Sequence, residues 1–372
     1  MVRKTKKKIT YSEVGDNYDT KDPIKILAQT TAAETGKNLK KNGFEEVTGS
    51  RGESAYIWRQ GDVYMAAVAE QLGTKNLVAD ETRKITGKTY YDTIAHDTVA
   101  TIINDLITVG AQPLVIHAYW AIENNDWLAD GERMKDLIGG WKSACDLAGA
   151  SWGGGETPTL KGIITPGTVA LGGSAVGVIK SKKRIITDKN LKVGDRILLL
   201  RSAGINANGL SLARAIAKKL PKGYATKLKN GELYGEAILK KTNIYAKLVR
   251  DLLDAKINIH YISNITGHGF RKLMRARQNY TYVIEKMFEP QELFLFMQKH
   301  AGLSEYDMYD EFNMGMDFAL YLHERDVKKA QEIIGKNKSR SINAGYVQKG
   351  KRRVIIEPKD IVFEGESLKL RA

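Results

Sequence analysis

Residues 92–113 read DTIAHDTVATIINDLITVGAQP, one run that carries two helical stripes at once. Val99, Ile102, Ile103 and Leu106 recur at the spacing of a buried helix face. Asp97, Thr101, Asn104, Asp105 and Thr108 recur at i, i+4, i+7, i+8 and i+11, and line another face with carboxylates, hydroxyls and an amide. Such oxygens are ligands that Mg²⁺ accepts, with water and phosphate completing its octahedron. A solvated polar face is the competing reading of an isolated helix, so the decision falls to the rest of the chain.

At 372 residues the chain has room for one large or two ordinary domains, and two is the expectation. With 42% hydrophobic and 27% charged residues it has the composition of a folded soluble protein. No apolar run approaches the roughly 18 residues of a membrane span. The start, MVRKTKKKITY, lacks the apolar core of a secretory signal, and a cytoplasmic protein without membrane contacts is expected. A single cysteine, Cys145, excludes an internal disulfide and a cysteine-cluster metal site; its setting in WKSACDLAGA fits a packed thiol. The net charge of +15 raises nucleic acid as a partner. Its basic clusters (residues 3–8, 180–184 and 349–353) have no interleaved aromatics, so they are read as solvated surface and no nucleic-acid partner is expected.

Strand-like runs at Val63–Ala69 and Thr168–Val178 alternate with helical patterns at about 92–109 and 130–149, which implies a mixed α/β domain. After KSKKR a second α/β unit begins. LKVGDRILLL (191–200) is a strand leading through SAGINANG (202–209) into a helix at 210–220. A long helix near 235–254, a turn at ITGHGF (265–270), a strand at 312–322, a helix at about 325–334 and a strand at 353–356 follow. The expected organisation is α/β (α+β), with domains at 1–180 and 181–372.

Three glycine-bearing segments, LGTK (72–75), WGGGETP (152–158) and SAGINANG, could present backbone amides to phosphate. None is a Walker loop or a dinucleotide fingerprint, and a plain turn is the alternative for each. Glu70 and Lys75 bracket the first, where a carboxylate could serve a metal and an ammonium a phosphate. Glu156 follows three glycines and is either a ligand or a helix-start residue. Structural roles are expected for His96 and His117. His268, flanked by two glycines, is the histidine with room for proton transfer.

In order along the chain, LGTK, DTIAHDTVATIINDLITVGAQPL, GGGETP, SAGINANGLSLARAI, ITGHGF and MYDEFNMGM resemble the successive landmarks of aminoimidazole ribonucleotide synthetase, or phosphoribosylformylglycinamidine cyclo-ligase. The resemblance runs from about Tyr11 to Glu357. Its most specific part, NDL-x-x-x-GA-x-PL (104–114), is shared with a wider superfamily that includes formylglycinamidine ribonucleotide synthetase, selenophosphate synthetase, thiamine monophosphate kinase and a hydrogenase maturation protein.

The resemblance implies a two-domain PurM-like fold, a homodimer joined through a barrel of amino-terminal sheets, and ATP with Mg²⁺ in a cleft. It also implies formylglycinamidine ribonucleotide as substrate. Glu70 matches the aspartate of the family's D-G-V-G-T-K motif as a metal ligand, and Lys75 matches its phosphate-binding lysine. Asp97, Asn104 and Asp105 match a polar helix face. Asp97, Asp105 and Glu156 are thereby implied for metal, and Asp97, Asn104, Gly154, Gly155, Thr157, Gly209 and Asn313 for ATP. Lys75, Asn208 and His268 are implied for catalysis. Departures are Gln71 and Leu72 in place of G-V, Asn206 where the family usually has histidine, His268 where it has a third glycine, and a loosely matching GSRGESAYI (49–57). A kinase of the same superfamily and a non-catalytic nucleotide-binding regulator are the alternative readings.

Overall fold

The computed structural model describes residues 18 to 371, so the basic cluster at residues 3–8 lies outside them. Two sheets organise the chain. The first has strands β1 (Glu45–Glu46), β2 (Tyr56–Gln60), β3 (Val63–Gln71), β4 (Gln112–Ile122), β5 (Ser151–Glu156) and β6 (Val169–Ile179), in the order β1-β2-β3-β6-β4-β5. Its neighbours are antiparallel except for the β4–β5 pair. The helices of this half are α1 (Tyr18–Ala33), α2 (Lys37–Lys41), α3 (Lys75–Thr86), α4 (Tyr91–Leu106) and α5 (Gly131–Ala148).

The apolar stripe of α4 is buried as its spacing predicts: Val99, Ile102, Ile103 and Leu106 are all sealed in the core, against α5 and one face of the sheet. Cys145 on α5 is packed there too, and burial pushes its thiol up to about 12, so it is a core residue and not a nucleophile. α4 runs on through a short 3₁₀ turn, Ile107–Val109, to Gly110. That glycine has φ +84°, and a Cβ there would stand 1.9 Å from the Arg184 carbonyl oxygen, so the close turn into β4 requires glycine. On the opposite sheet face, Leu114, His117 and Tyr119 of β4 are exposed while Ile116, Ala118 and Trp120 between them are buried. The sheet is covered on one side only.

The second sheet comprises β7 (Arg196–Arg201), β8 (Ile259–Asn264), β9 (Tyr280–Ile284), β10 (Met316–Leu322), β11 (Ser341–Lys349), β12 (Arg353–Ile356) and β13 (Ile361–Glu364), ordered β13-β12-β9-β11-β7-β10-β8. β8 and β10 are buried along their whole length, and the polar residues among their apolar ones, His260, Ser263, Asn264 and Asp317, are hydrogen-bonded. The helices of this half are α6 (Leu210–Lys219), α7 (Tyr234–Ile238), α8 (Ala246–Asp254), α9 (Glu292–Ala301), α10 (Glu305–Glu311) and α11 (Glu324–Lys336). Among the described residues no helix is long and apolar enough to cross a membrane.

One expected element divides. The long helix at 235–254 is instead α7 and α8, separated by an irregular segment, 239–245. The reason is across the domain junction, where side chains of α3 and α4 take its backbone groups. Lys75 Nζ donates to the Lys240 carbonyl at 3.0 Å, and His96 Nε2 lies 2.7 Å from the Thr242 carbonyl. Asp97 Oδ1 accepts from Thr242 N at 2.7 Å. Asn104 donates to the Asn243 carbonyl at 2.7 Å and accepts from Tyr245 N at 3.0 Å. Backbone groups that a helix would pair internally are satisfied from the other domain.

Candidate active site

The polar face of α4 serves two purposes. Asp97 and Asn104 point at the 240–245 segment, whereas Thr101 and Asp105 open on a cleft of about 650 Å³ between the domains. That volume suits a nucleotide-sized ligand. The other cleft walls come from α1, the loop around residues 50–54, the end of β3, the loop before α6 and the ITGHGF turn.

Asp97 and Lys75 form an ion pair in which both side chains are wholly buried. With Oδ2 on Lys75 and Oδ1 on Thr242 N, Asp97 has both oxygens engaged. Asn104 likewise uses both ends of its amide. Asp97, Asn104 and Lys75, expected at metal and nucleotide, therefore hold the domains together in this conformation, and neither member of the ion pair lines the cleft. Asn313 is also diverted. Its oxygen accepts from Gly315 N at 2.8 Å and its nitrogen donates to the Gly204 carbonyl at 3.0 Å, which ties the 313–315 turn to the 202–204 turn.

Glu70, Asp105, Asn208 and His268 do converge on the cleft. Glu70, at the end of β3, has its carboxyl pushed up to about 7, by burial first and then by the charge of Asp105; Lys272 and Arg275 pull the other way. One Asp105 oxygen accepts from Asn264 Nδ2 at 2.7 Å. Two carboxylates with free oxygen capacity suit Mg²⁺, which binds through one or two carboxylates plus phosphate oxygens. Among the described residues there is no group of three acidic or imidazole side chains that would bind an ion alone. The expected quartet of Glu70, Asp97, Asp105 and Glu156 is thus reduced to Glu70 and Asp105 at the cleft.

Glu156 lies apart. It is exposed with Gly154, Gly155 and Thr157 at the end of β5. A second cavity of about 500 Å³, on the uncovered sheet face, joins Gly155 and Glu156 to Glu70, His117 and Tyr119. Glu70 alone of the four carboxylates borders both spaces. Gly209, with φ +78°, caps the start of α6 and leaves Asn208 in the cleft wall.

The two departures from the family pattern have different physical meanings. Asn206, at φ +61°, turns inward and donates to Asp317 Oδ2 at 2.8 Å, so it belongs to a buried network with Tyr245. His268, at φ +70°, occupies a left-handed position that glycine adopts without cost and histidine tolerates better than most residues. Its Nε2 is 3.3 Å from Asp22 Oδ2 on α1. Burial first, then the charges of Lys272, Arg271 and Lys25, lower its pKa to about 2, so the imidazole is neutral.

Several cleft residues were not found from sequence. Lys272 and Arg275 follow the ITGHGF turn on a short 3₁₀ helix, Gly269–Met274 and the residue beyond it. Arg275 holds the loop opposite, donating to the Gly52 carbonyl at 2.9 Å and Ser54 Oγ at 2.9 Å. Beneath that loop Glu53 binds Tyr261 OH at 2.8 Å and Arg371 at 2.6 Å, and Arg371 also reaches Asp188 at 3.0 Å. A loosely matching GSRGES gave no sign of this buried anchorage.

Known proteins agree with the architecture. The description "AIR synthase related protein, N-terminal domain" matches residues 52–179, and the corresponding C-terminal domain matches 192–357. The phosphoribosylformylglycinamidine cyclo-ligase of Methanothermobacter thermautotrophicus is 32% identical over 88% of this chain and 91% of its own length. That of Clostridium perfringens is 30% identical over 94% of this chain and 100% of its own. The solved HypE–HypF complex contains a chain that superposes with a TM-score of 0.58 at 16% identity, covering 84% of this chain and 92% of that one. A ThiL protein complexed with AMPPCP and TMP gives 0.58 at 12% identity, over 83% and 89%. The structural likenesses show the shared fold, and the sequence relatives carry the closer assignment: the chain belongs to the AIR synthase related family and, within it, to the phosphoribosylformylglycinamidine cyclo-ligases.

Proposed function

We propose that this chain closes the imidazole ring of aminoimidazole ribonucleotide from formylglycinamidine ribonucleotide, using ATP and Mg²⁺. The observation that carries the reading is the convergence of Glu70, Asp105 and Asn208 on one interdomain cleft, in a chain with cyclo-ligase relatives along almost its full length. In the reaction the terminal phosphoryl group of ATP passes to the amide oxygen of the substrate and ADP leaves. The substrate nitrogen then attacks the activated carbon, the C–O bond breaks with release of phosphate, and loss of a proton makes the new ring aromatic.

Glu70 and Asp105 would hold Mg²⁺, which when bound neutralises phosphate charge. Asn208 and the amides at the start of α6 offer donors to an anion. Positioning and electrostatics supply most of the rate, which agrees with a cleft in which His268, the histidine lining it among the described residues, is kept neutral by burial. The 1–180 and 181–372 division then gives each domain one wall of the cleft. The uncovered sheet face, with Leu114, Tyr119 and Val63 exposed, supports a homodimer joined across it, and a cytoplasmic setting suits such an enzyme.

Asp105→Asn tests the reading. ATP turnover dependent on formylglycinamidine ribonucleotide is expected to fall by a factor on the order of 10² while the protein stays folded. Wild-type turnover at limiting Mg²⁺ would overturn the metal role, and ATP hydrolysis indifferent to the ribonucleotide would favour the kinase alternative. Sedimentation of an active monomer would remove the dimer.

A further inference from the structure

Lys25 on the cleft wall pairs with Asp22 at 3.5 Å, and the two buried lysines near the space between the domains, Lys75 and Lys272, are in opposite situations. Lys75, the one the family motif singles out, is wholly buried and neutralised by Asp97, with its ammonium also bound to the Lys240 carbonyl. Lys272 is nearly as buried, at 8% exposure, yet lines the cleft and has no ion-pair partner among the described residues. The charges of Asp105 and Glu70 favour its ammonium form, and those of Arg275 and Lys25 oppose it. An ammonium kept from water without a paired carboxylate costs stability, and a fold retains such a group where a ligand supplies the counter-charge.

We infer that Lys272 is the lysine that contacts the transferring phosphate of the nucleotide in this enzyme, while Lys75 acts as an interdomain staple. The inference rests on ATP use by this cleft. Lys272 lines the same cleft as the two carboxylates that would hold the metal, where it could meet a phosphate of the bound nucleotide. Its backbone is fixed as well: the Lys272 carbonyl accepts from Ser263 Oγ at 2.7 Å, which anchors the short helix to β8. Arg275, one turn on, is committed to the 52–54 loop and leaves the phosphate to Lys272.

The test compares Lys272→Met and Lys272→Arg with the wild type. AMPPNP and AMP binding are measured by calorimetry with Mg²⁺ present, alongside kcat, KM for each substrate, and Tm. For Lys272→Met the expectation is AMPPNP binding weaker by about tenfold or more, unchanged AMP binding, and kcat lower by about 10². Tm should be unchanged or higher, because an unpaired buried charge has been removed, and Lys272→Arg should recover part of kcat. Wild-type AMPPNP affinity and kcat in Lys272→Met would overturn the inference. So would a rise confined to the KM for formylglycinamidine ribonucleotide, which would transfer Lys272 to the substrate phosphate, and so would a fall in Tm parallel to the loss of activity. Failure of the wild type itself to bind AMPPNP would instead overturn the functional reading.

Discussion

Asp97→Asn offers the sharpest test of what the polar face of α4 does. The substitution keeps shape but removes the charge that neutralises Lys75, leaving a wholly buried ammonium with only the Lys240 carbonyl as partner. Breaking one member of a buried pair costs about 3–5 kcal/mol, which lowers Tm by about 4–6 °C in a chain of this size. Replacing both members, as Lys75→Met with Asp97→Leu, leaves no stranded charge. The double variant still loses the acceptor of Thr242 N and the donor to the Lys240 carbonyl, so about 1–3 kcal/mol remains missing. Thermal unfolding followed by calorimetry at pH 7 reads both. A single variant within about 2 °C of wild type would refute the staple and return Asp97 to the ligand role expected from sequence.

Other outcomes follow from the same geometry. His268→Gly relieves a left-handed residue and removes the contact to Asp22, and since the imidazole is neutral, single-turnover ring closure should stay within about threefold of wild type; a loss on the order of 10² would assign His268 a proton. Glu70 has a pKa raised from 4.5 to about 7, so its ionisation opposes folding as pH rises through that window. Glu70→Gln should therefore gain Tm over wild type between about pH 5 and 8 in metal-free buffer while losing turnover, and a pH-independent difference would contradict the shift. Arg371→Ala leaves Glu53 without its cation and Asp188 with Arg277 alone, so a loss of about 3 kcal/mol at pH 7 is expected by denaturant titration. The Asp188 carboxyl is held below its ordinary value because Arg277 and Arg371 outweigh burial. That contribution is present above about pH 4 and lost in stronger acid, so the Arg371→Ala defect should shrink as pH falls below about 4.

Periodicity located the apolar stripe of α4, the strands β3 and β6, and α6 to within a few residues, because each carries a patterned buried face, and β10 as a nearly continuous apolar run that is buried throughout. It failed at 239–245, where local helical pattern was overridden by hydrogen bonds from residues 75, 96, 97 and 104, far away in sequence. The same non-locality limited the site. Asp97 and Asp105 are both acidic residues on one polar stripe, yet one faces another domain's backbone and the other a cleft. Only the packed partner distinguishes them. Lys272 was invisible for a related reason: in RKLMRAR it is one of several cations, and nothing local marks the one that is buried.

That division of α4 ties binding to domain geometry. Asp97 and Asn104 fix the 240–245 segment on the helix, and Asp105, about two turns beyond Asp97, reaches Asn264 at the end of β8 in the same second domain. The cleft wall is thereby set by the docking contacts, with no hinge residue between them on α4. A ligand that draws Asp105 toward a metal must compete with Asn264, since both seek the same carboxylate. Asn264→Ala should then loosen Asp105 and weaken the metal-dependent part of nucleotide binding, while the Asp97 staple keeps the folding stability within about 1–2 kcal/mol of wild type. If Asn264→Ala instead unfolded the domains from each other, the cleft contact would prove to be the main tie and the staple secondary. Calorimetric binding of AMPPNP with and without Mg²⁺, alongside Tm, separates the two.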